Sequence, residues 1–382
     1  MDDQLHAARA LRSTIRATRQ QTEEGRRLAP AVVEGLTAGG LFRLAVPASL
    51  GGSETQPAVA LQIYEELAWA DASVAWIVWN NQLVGLASRY SSQAVRTEIF
   101  SDHRTIFANS TRPSGQANAV DGGLKVSGRW SLVSGCELAA WIPVMCHVHQ
   151  PDQPHTLEDG EPEMRMVYLP NGSFRILDTW HVGGLRGTGS HDIVVDDVFV
   201  PTERTFSFSD SAQDDRPLSR MPFFATVCAG CAALCLGIAQ AARDTLLELA
   251  STKVQVDPFP ATRDRPGVQT LVASSGAKLA SARLLLYSAL TDVWAACTRG
   301  VTVTSTQRAH LWESSHHAAH VSREVVRSMY DAAGASALYT DCPLERAHRD
   351  IHAVMQHIVF APFWMEAAGQ VRLGLTPENP IF

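Results

Sequence analysis

GLKVSGRWSLVSG (123–135) is the stretch on which the reading of the fold turns. It is a short run punctuated by glycines, of the length and spacing that suggest a strand. Working outward, WIPVMCHV (141–148), MRMVYLP (164–170), FRILDTW (174–180) and HDIVVDDVFVP (191–201) are runs of the same kind. They sit between Gly, Pro and Asp clusters at roughly 10–15-residue intervals, the pattern of a β-domain. Residues 105–205 therefore read as a small antiparallel barrel or sandwich. Inside it, HQPDQPHTLEDGEPE (149–163) is polar and proline-rich and reads as a surface loop.

Both flanks are helical. Residues 4–100 carry apolar side chains at helical spacing, with Ile63, Leu67 and Ala70 as a stripe on a helix from 56 to 69. DASVAWIVWNNQLVGLAS (71–88) is apolar almost throughout, as a helix buried on several sides would be. After residue 217 four long helices are expected, over 220–253, 266–299, 303–333 and 343–373. Their short links suggest an antiparallel four-helix bundle. The fold class is α+β: a helical domain (1–104), a central antiparallel β-domain (105–205) and a C-terminal four-helix bundle (206–382).

The chain has 382 residues, is 46% hydrophobic and 19% charged, and carries a net charge of −7. That composition supports a large core and argues against disorder. No basic patch is legible, so nucleic acid is not an expected partner. No uninterrupted apolar run of membrane-spanning length is read, and the first residues lack a secretory h-region. A cytoplasmic location follows as an expectation. Seven cysteines, an odd number scattered along the chain, do not suggest a disulfide scaffold. Cys228, Cys231 and Cys235 share a helical face and read as packing rather than metal ligation. Two ExxH pairs, Glu313/His316 and Glu345/His348, could in principle hold a di-iron centre in a bundle. Such pairs recur by chance, and no metal is expected. No GxGxxG before a helix, no GxxxxGK[ST] and no GxSxG occurs. The chain thus offers no site of its own for a nicotinamide dinucleotide.

Three segments together resemble the acyl-CoA dehydrogenase superfamily: VDGGLKVSGRWSLVSGCELAAW (120–141), GLRGTGSHDIVVDDVFVP (184–201) and PLERAHRDIHAVMQHIVFAP (343–362). GLFRLAVPASLGGSE (40–54) and DASVAW (71–76) fit the same resemblance, which spans nearly the whole chain. Dehydrogenases of that superfamily need a carboxylate to remove an α-proton. One of its two family positions holds Ile358 here, eight residues after Asp350. The other lies within Leu218–Gln240, which contains no acid. An aliphatic side chain cannot act as a general base.

RDIHAVMQH (349–357) is similar instead to the RD-x6-H signature of the flavin-dependent two-component monooxygenases of this fold. The resemblance implies reduced FMN or FAD supplied by a separate NAD(P)H:flavin reductase. It also implies molecular oxygen, a flavin C4a-hydroperoxide, and hydroxylation of an aromatic or other electron-rich small molecule. It makes His357 the catalytic residue, with an imidazole whose ordinary pKa lies near working pH. It places Trp130, Val133 and Ser134 along the flavin, Val133 standing where relatives carry a hydroxyl near N5. Asn109 and Ser110 begin a loop that contacts the flavin. Arg263 and Ser336 are implied in cofactor contact across subunits, in a homodimer or homotetramer. Asn80 and Asn81 line the substrate pocket where phenol hydroxylases often carry histidine. Two alternatives remain at this stage: a dehydrogenase or oxidase of the same fold without the usual glutamate, and a non-catalytic flavin-fold binding protein.

Overall fold

The computed structural model describes residues 3–150, 153–154, 163–252, 260–377 and 382. The amino-terminal part contains α1 (Asp3–Ala17), α2 (Arg19–Gly25), α3 (Pro30–Ala38), α4 (Pro57–Ala70), α5 (Ala72–Ala87) and α6 (Gln93–Phe100). Asp71 starts α5 by accepting the backbone N–H of Ser73 and Val74. Every residue of α5 except Leu86 is buried. Gln82, one of its buried polar side chains, is matched at both ends. Gln82 Nε2 donates to Leu41 O at 2.9 Å, and Gln82 Oε1 accepts from Ala45 N at 3.0 Å.

The middle of the chain is one sheet of eight strands: β1 (Ser110–Val120), β2 (Gly123–Trp130), β3 (Trp141–Gln150), β4 (Gln153–Pro154), β5 (Met164–Pro170), β6 (Arg175–Leu177), β7 (Asp192–Pro201) and β8 (Thr205–Phe206). Their order is β6-β7-β2-β1-β3-β5-β8, with β4 on β3. The pairings are antiparallel with one exception, because β1 runs parallel to β3. This corrects the expectation of a wholly antiparallel domain. Alternation along a strand does not report the direction of its neighbour. Gly115 lies opposite Gly128 in the β1–β2 register. A Cβ at Gly115 would fall 1.9 Å from Trp130 Cζ2, so only glycine admits that ring into the sheet core. The polar 149–163 segment falls mostly outside the described residues.

The carboxy-terminal part contains α7 (Phe223–Thr252), α8 (Pro266–Thr298), α9 (Ser305–Ala333), α10 (Pro343–Val354) and α11 (Pro362–Arg372). The first three match the helices expected from periodicity. The last expected helix, 343–373, is instead two. Ala361 precedes Pro362 and is held extended (φ −65°, ψ 145°), and Pro362 opens a new helix at its first turn. His357 lies in the resulting break. By length and composition α7 could cross a membrane, but 89% of its most apolar window is buried inside the fold, packed on α4 and α9. Cys228, Cys231 and Cys235 are completely buried along it.

Candidate active site

The break between α10 and α11 holds His357 in place through its neighbours. The Val359 carbonyl accepts from His316 Nε2 at 3.0 Å and from the Cys228 thiol at 3.5 Å. The Ile358 carbonyl accepts from Trp364 Nε1 at 3.0 Å. His357 Nδ1 accepts a long bond from the Val359 N–H, 3.4 Å. In the neutral ring the proton therefore sits on Nε2, which makes no hydrogen bond with any described residue. The ring stands edge-on to two indoles of α5, Trp76 at 5.4 Å and Trp79 at 5.3 Å between centroids. Burial lowers the imidazole to about 4, and no charged neighbour contributes. At neutral pH it is uncharged. The expectation of a group titrating near working pH is thus revised: the free nitrogen is a hydrogen-bond donor. Acting as a base would require moving the proton to Nδ1 and losing the Val359 bond.

A line of hydrogen bonds runs from Trp76 to the RD pair. Trp76 Nε1 donates to Ser134 Oγ at 2.9 Å. Ser134 Oγ lies 2.7 Å from Ser190 Oγ, and Ser190 Oγ 2.7 Å from Thr188 Oγ1. Thr188 Oγ1 donates to Leu185 O at 2.8 Å, which fixes the direction of every hydroxyl in the line. The Leu185 N–H donates to Asp350 Oδ1 at 2.7 Å, and Arg349 Nη1 donates to Gly183 O. A Cβ at Gly184 would fall 2.4 Å from Arg349 O, so the loop rests directly on α10. WSLVSG, GLRGTGS and the RD pair, separate in sequence, are one connected unit. Burial pushes the Asp350 carboxyl up to about 7, although Arg346 pulls it the other way.

The residues expected at the site separate into groups. Asn80 lies one helical turn after Trp76. Its Nδ2 donates to Ser134 O at 3.4 Å, and its own carbonyl accepts from Asn109 Nδ2 at 3.0 Å. Asn80, Asn109, Ser110 and Ser134 are thus drawn together from α5, the start of β1 and the turn after β2. The first three are buried. Their Oδ1, Oδ1 and Oγ atoms make no hydrogen bond with any described residue. Leu132, in the same turn, has φ +62° and is 50% exposed. An apolar side chain held outward, beside polar atoms whose hydrogen-bonding capacity is unused, fits a flat ring whose edge carries hydrogen-bonding groups. Asn80, Asn109, Ser110, Leu132 and Ser134 form a surface that could hold a flavin.

Asn81, by contrast, is engaged at both ends: Nδ2 donates to Phe42 O at 2.5 Å and Oδ1 accepts from Phe107 N at 2.8 Å. It ties α5 to the loop before β1 and to the turn at Phe42. Trp130, expected along the flavin, is completely buried in the sheet core with Nε1 on Met145 O at 2.8 Å. The Val133 side chain belongs to the same core, and its N–H donates to His191 O at 3.1 Å. Arg263 sits on an exposed turn, 3.8 Å from Asp264, and Ser336 follows α9 in a short helical turn. Arg263 meets Asp264 and Gln269, neither of which is near His357 in sequence or a partner of Ser134. Of the two ExxH glutamates, Glu313 pairs with Arg372 and Glu345 with Arg349, each at 2.6 Å. Trp76, Ser190 and Thr188 escaped the sequence reading, and His316 entered it only as half of an ExxH pair. Trp76 is one apolar residue in an apolar helix, and the others act through contacts made far along the chain.

Comparison with known proteins agrees with this geometry. The acyl-CoA dehydrogenase N-terminal domain matches residues 4–103, and the acyl-CoA dehydrogenase C-terminal domain matches residues 229–362. The chain is 32% identical to an indole-3-acetate monooxygenase of Pseudomonas putida, over 95% of this chain and 91% of that one. It is 28% identical to the oxygenase component of an FADH2-dependent resorcinol hydroxylase of a Rhizobium species, over 96% and 92%. The crystal structure of a 3-HSA hydroxylase from Rhodococcus sp. RHA1 superposes with a TM-score of 0.91 at 27% identity, covering all of both chains. The chain belongs to the acyl-CoA dehydrogenase family. Within that family it falls in the branch of flavin-dependent monooxygenases, oxygenase components that work with reduced flavin and molecular oxygen.

Proposed function

We propose that this chain hydroxylates a small aromatic molecule, with His357 as the catalytic residue and reduced flavin delivered by a separate NAD(P)H:flavin reductase. The observation that carries the assignment is the His357 ring itself, neutral, with Nε2–H unengaged, facing two adjoining indoles, one of which, Trp76, donates to Ser134 of the Asn80–Asn109–Ser134 cluster. Reduced flavin, when bound, gives dioxygen two electrons, so that one oxygen atom enters the substrate and the other leaves as water. The chain's own part is positional. Asn80, Asn109, Ser110 and Ser134 orient the ring edge, Trp76 and Trp79 wall the site with apolar surface, and His357 holds a proton at Nε2 toward the reacting atoms. No carboxylate takes the place of a dehydrogenase base: Ile358, at one family position, is 56% exposed and aliphatic. Arg263 and Ser336 serve a neighbouring copy in a homodimer or homotetramer.

The test is turnover under 18O2 with reduced FMN and, separately, reduced FAD. Indole-3-acetate and resorcinol, the compounds named for two relatives, are the first probes. A product carrying one labelled hydroxyl is expected from the wild type and is lost in His357→Ala. A His357→Ala variant that retains full hydroxylation overturns the assignment of His357. A dehydrogenated product without label overturns the hydroxylase reading.

A further inference from the structure

Trp79 touches two spaces. One edge faces His357, at 5.3 Å between ring centroids. The indole also lines an apolar cavity of about 40 Å3 between α4, α5 and α7, with Leu61, Leu83 and Val227 among its walls. That volume admits a few atoms and not an aromatic ring. The indole is fixed in this position from two sides. Its Nε1 donates to Val227 O at 3.1 Å. Gly230 leaves the notch it occupies: a Cβ there would lie 2.7 Å from Trp79 Cδ1 and 2.9 Å from Nε1. Thr55 also lines the cavity, and its Oγ1 is buried without a hydrogen-bond partner among the described residues.

We propose that Trp79 is the specificity-determining partition of this enzyme, setting how far a substrate can extend past His357 toward α4 and α7. The inference rests on the reading that substrate lies beside His357. With the indole in place the cavity is cut off from the site, and the accepted substrates are compact aromatic molecules without a long apolar arm in that direction. A smaller side chain at 79 joins the two spaces. The enlarged pocket then takes an alkyl arm, and an arm ending in a hydrogen-bonding group reaches Thr55.

The test uses the full chain with FMN and a series of 4-n-alkylphenols from methyl to heptyl, with binding measured by calorimetry. In the wild type affinity stops rising once the arm is a few carbons long. In Trp79→Ala the heptyl member binds at least about tenfold more tightly than to wild type, as several newly buried methylenes require. The methyl member changes less than about threefold, since it gains no newly buried methylenes. Trp79→Phe, which keeps a ring and folds more readily, falls between them, and it decides the matter if the alanine variant does not fold. Equal changes along the whole series, or no binding of any member to either protein, overturns the proposal. His357→Ala, run in parallel for hydroxylation, separates the two readings. If the series shifts while His357→Ala stays fully active, the partition stands and the catalytic assignment falls. If His357→Ala is inactive and the series does not shift, the reverse holds.

Discussion

His316 on α9 and His357 in the break before α11 hold opposite sides of one residue. His316 donates to the Val359 carbonyl, and His357 accepts from the Val359 N–H. Burial lowers both imidazoles to about 4, so both are neutral at physiological pH. What differs is which atom remains. His316 has its proton engaged in the fold, on a carbonyl that also receives the Cys228 thiol. His357 has its proton free, aimed along a wall of two indoles. Equal desolvation thus produces a structural group in one place and a chemically available one in the other, and the hydrogen-bond partner decides between them.

Replacing each histidine should separate these roles. The largest effect is expected for His357→Ala, which should lower product formation by about 10²–10³-fold, the usual cost of removing a positioned proton donor. Thermal stability should stay near that of the wild type. A variant that lost stability and activity in proportion would erase the contrast.

Acid titration tests what the two share. Each folded pKa lies near 4, against an ordinary 6.5. The fold therefore favours the neutral form. The contribution is complete above about pH 6.5 and is lost as pH falls through about 4, up to roughly 3 kcal/mol for each ring. Denaturant unfolding at pH 7.5 and 4.5 measures the drop. His316→Gln keeps an N–H for the Val359 carbonyl and cannot be protonated, so the His316 share of the drop should disappear.

His316→Ala leaves that carbonyl with only the weak thiol donor. It should cost about 1–3 kcal/mol in unfolding free energy, with kcat falling less than in His357→Ala. The smallest effect belongs to Trp76→Phe. It removes one bond to Ser134 and should weaken binding of reduced flavin by about 2–10-fold with kcat little changed, as flavin titration would read. A large kcat loss there would mean that Trp76 shares the chemistry with His357.

The sequence carried much of this and concealed the rest for identifiable reasons. The α4, α5 and α7–α9 helices were legible because their periodicity or unbroken apolarity is local. The strands were legible from run length and turn residues. The parallel β1–β3 pair was not, because pairing direction is settled by residues thirty positions apart. The break at His357 was hidden by AVMQHIVFAP, whose apolar residues suit a continuing helix as well as a pinned loop. Pro362 was the one signal against continuity. His357 could be proposed from its spacing to Arg349-Asp350, but its neutral state and proton position could not, since both depend on α5 and on Val359. Asn80 and Asn81 show the limit most sharply. They are adjacent and of one residue type, yet one faces the Ser134 cluster and the other ties α5 to the loop before β1.

The apolarity of α7 has a consequence for how the protein is made. As the chain leaves the ribosome, Phe223–Thr252 emerges with α4 already synthesised to cover one side. The opposite side waits for α9, which ends at Ala333. During that interval a nascent segment with the hydropathy of a membrane span is half bare. A message cut between the codons for residues 252 and 305 would yield a product that aggregates or is taken for a membrane protein. Only the finished packing against α4 and α9 covers this helix on both sides.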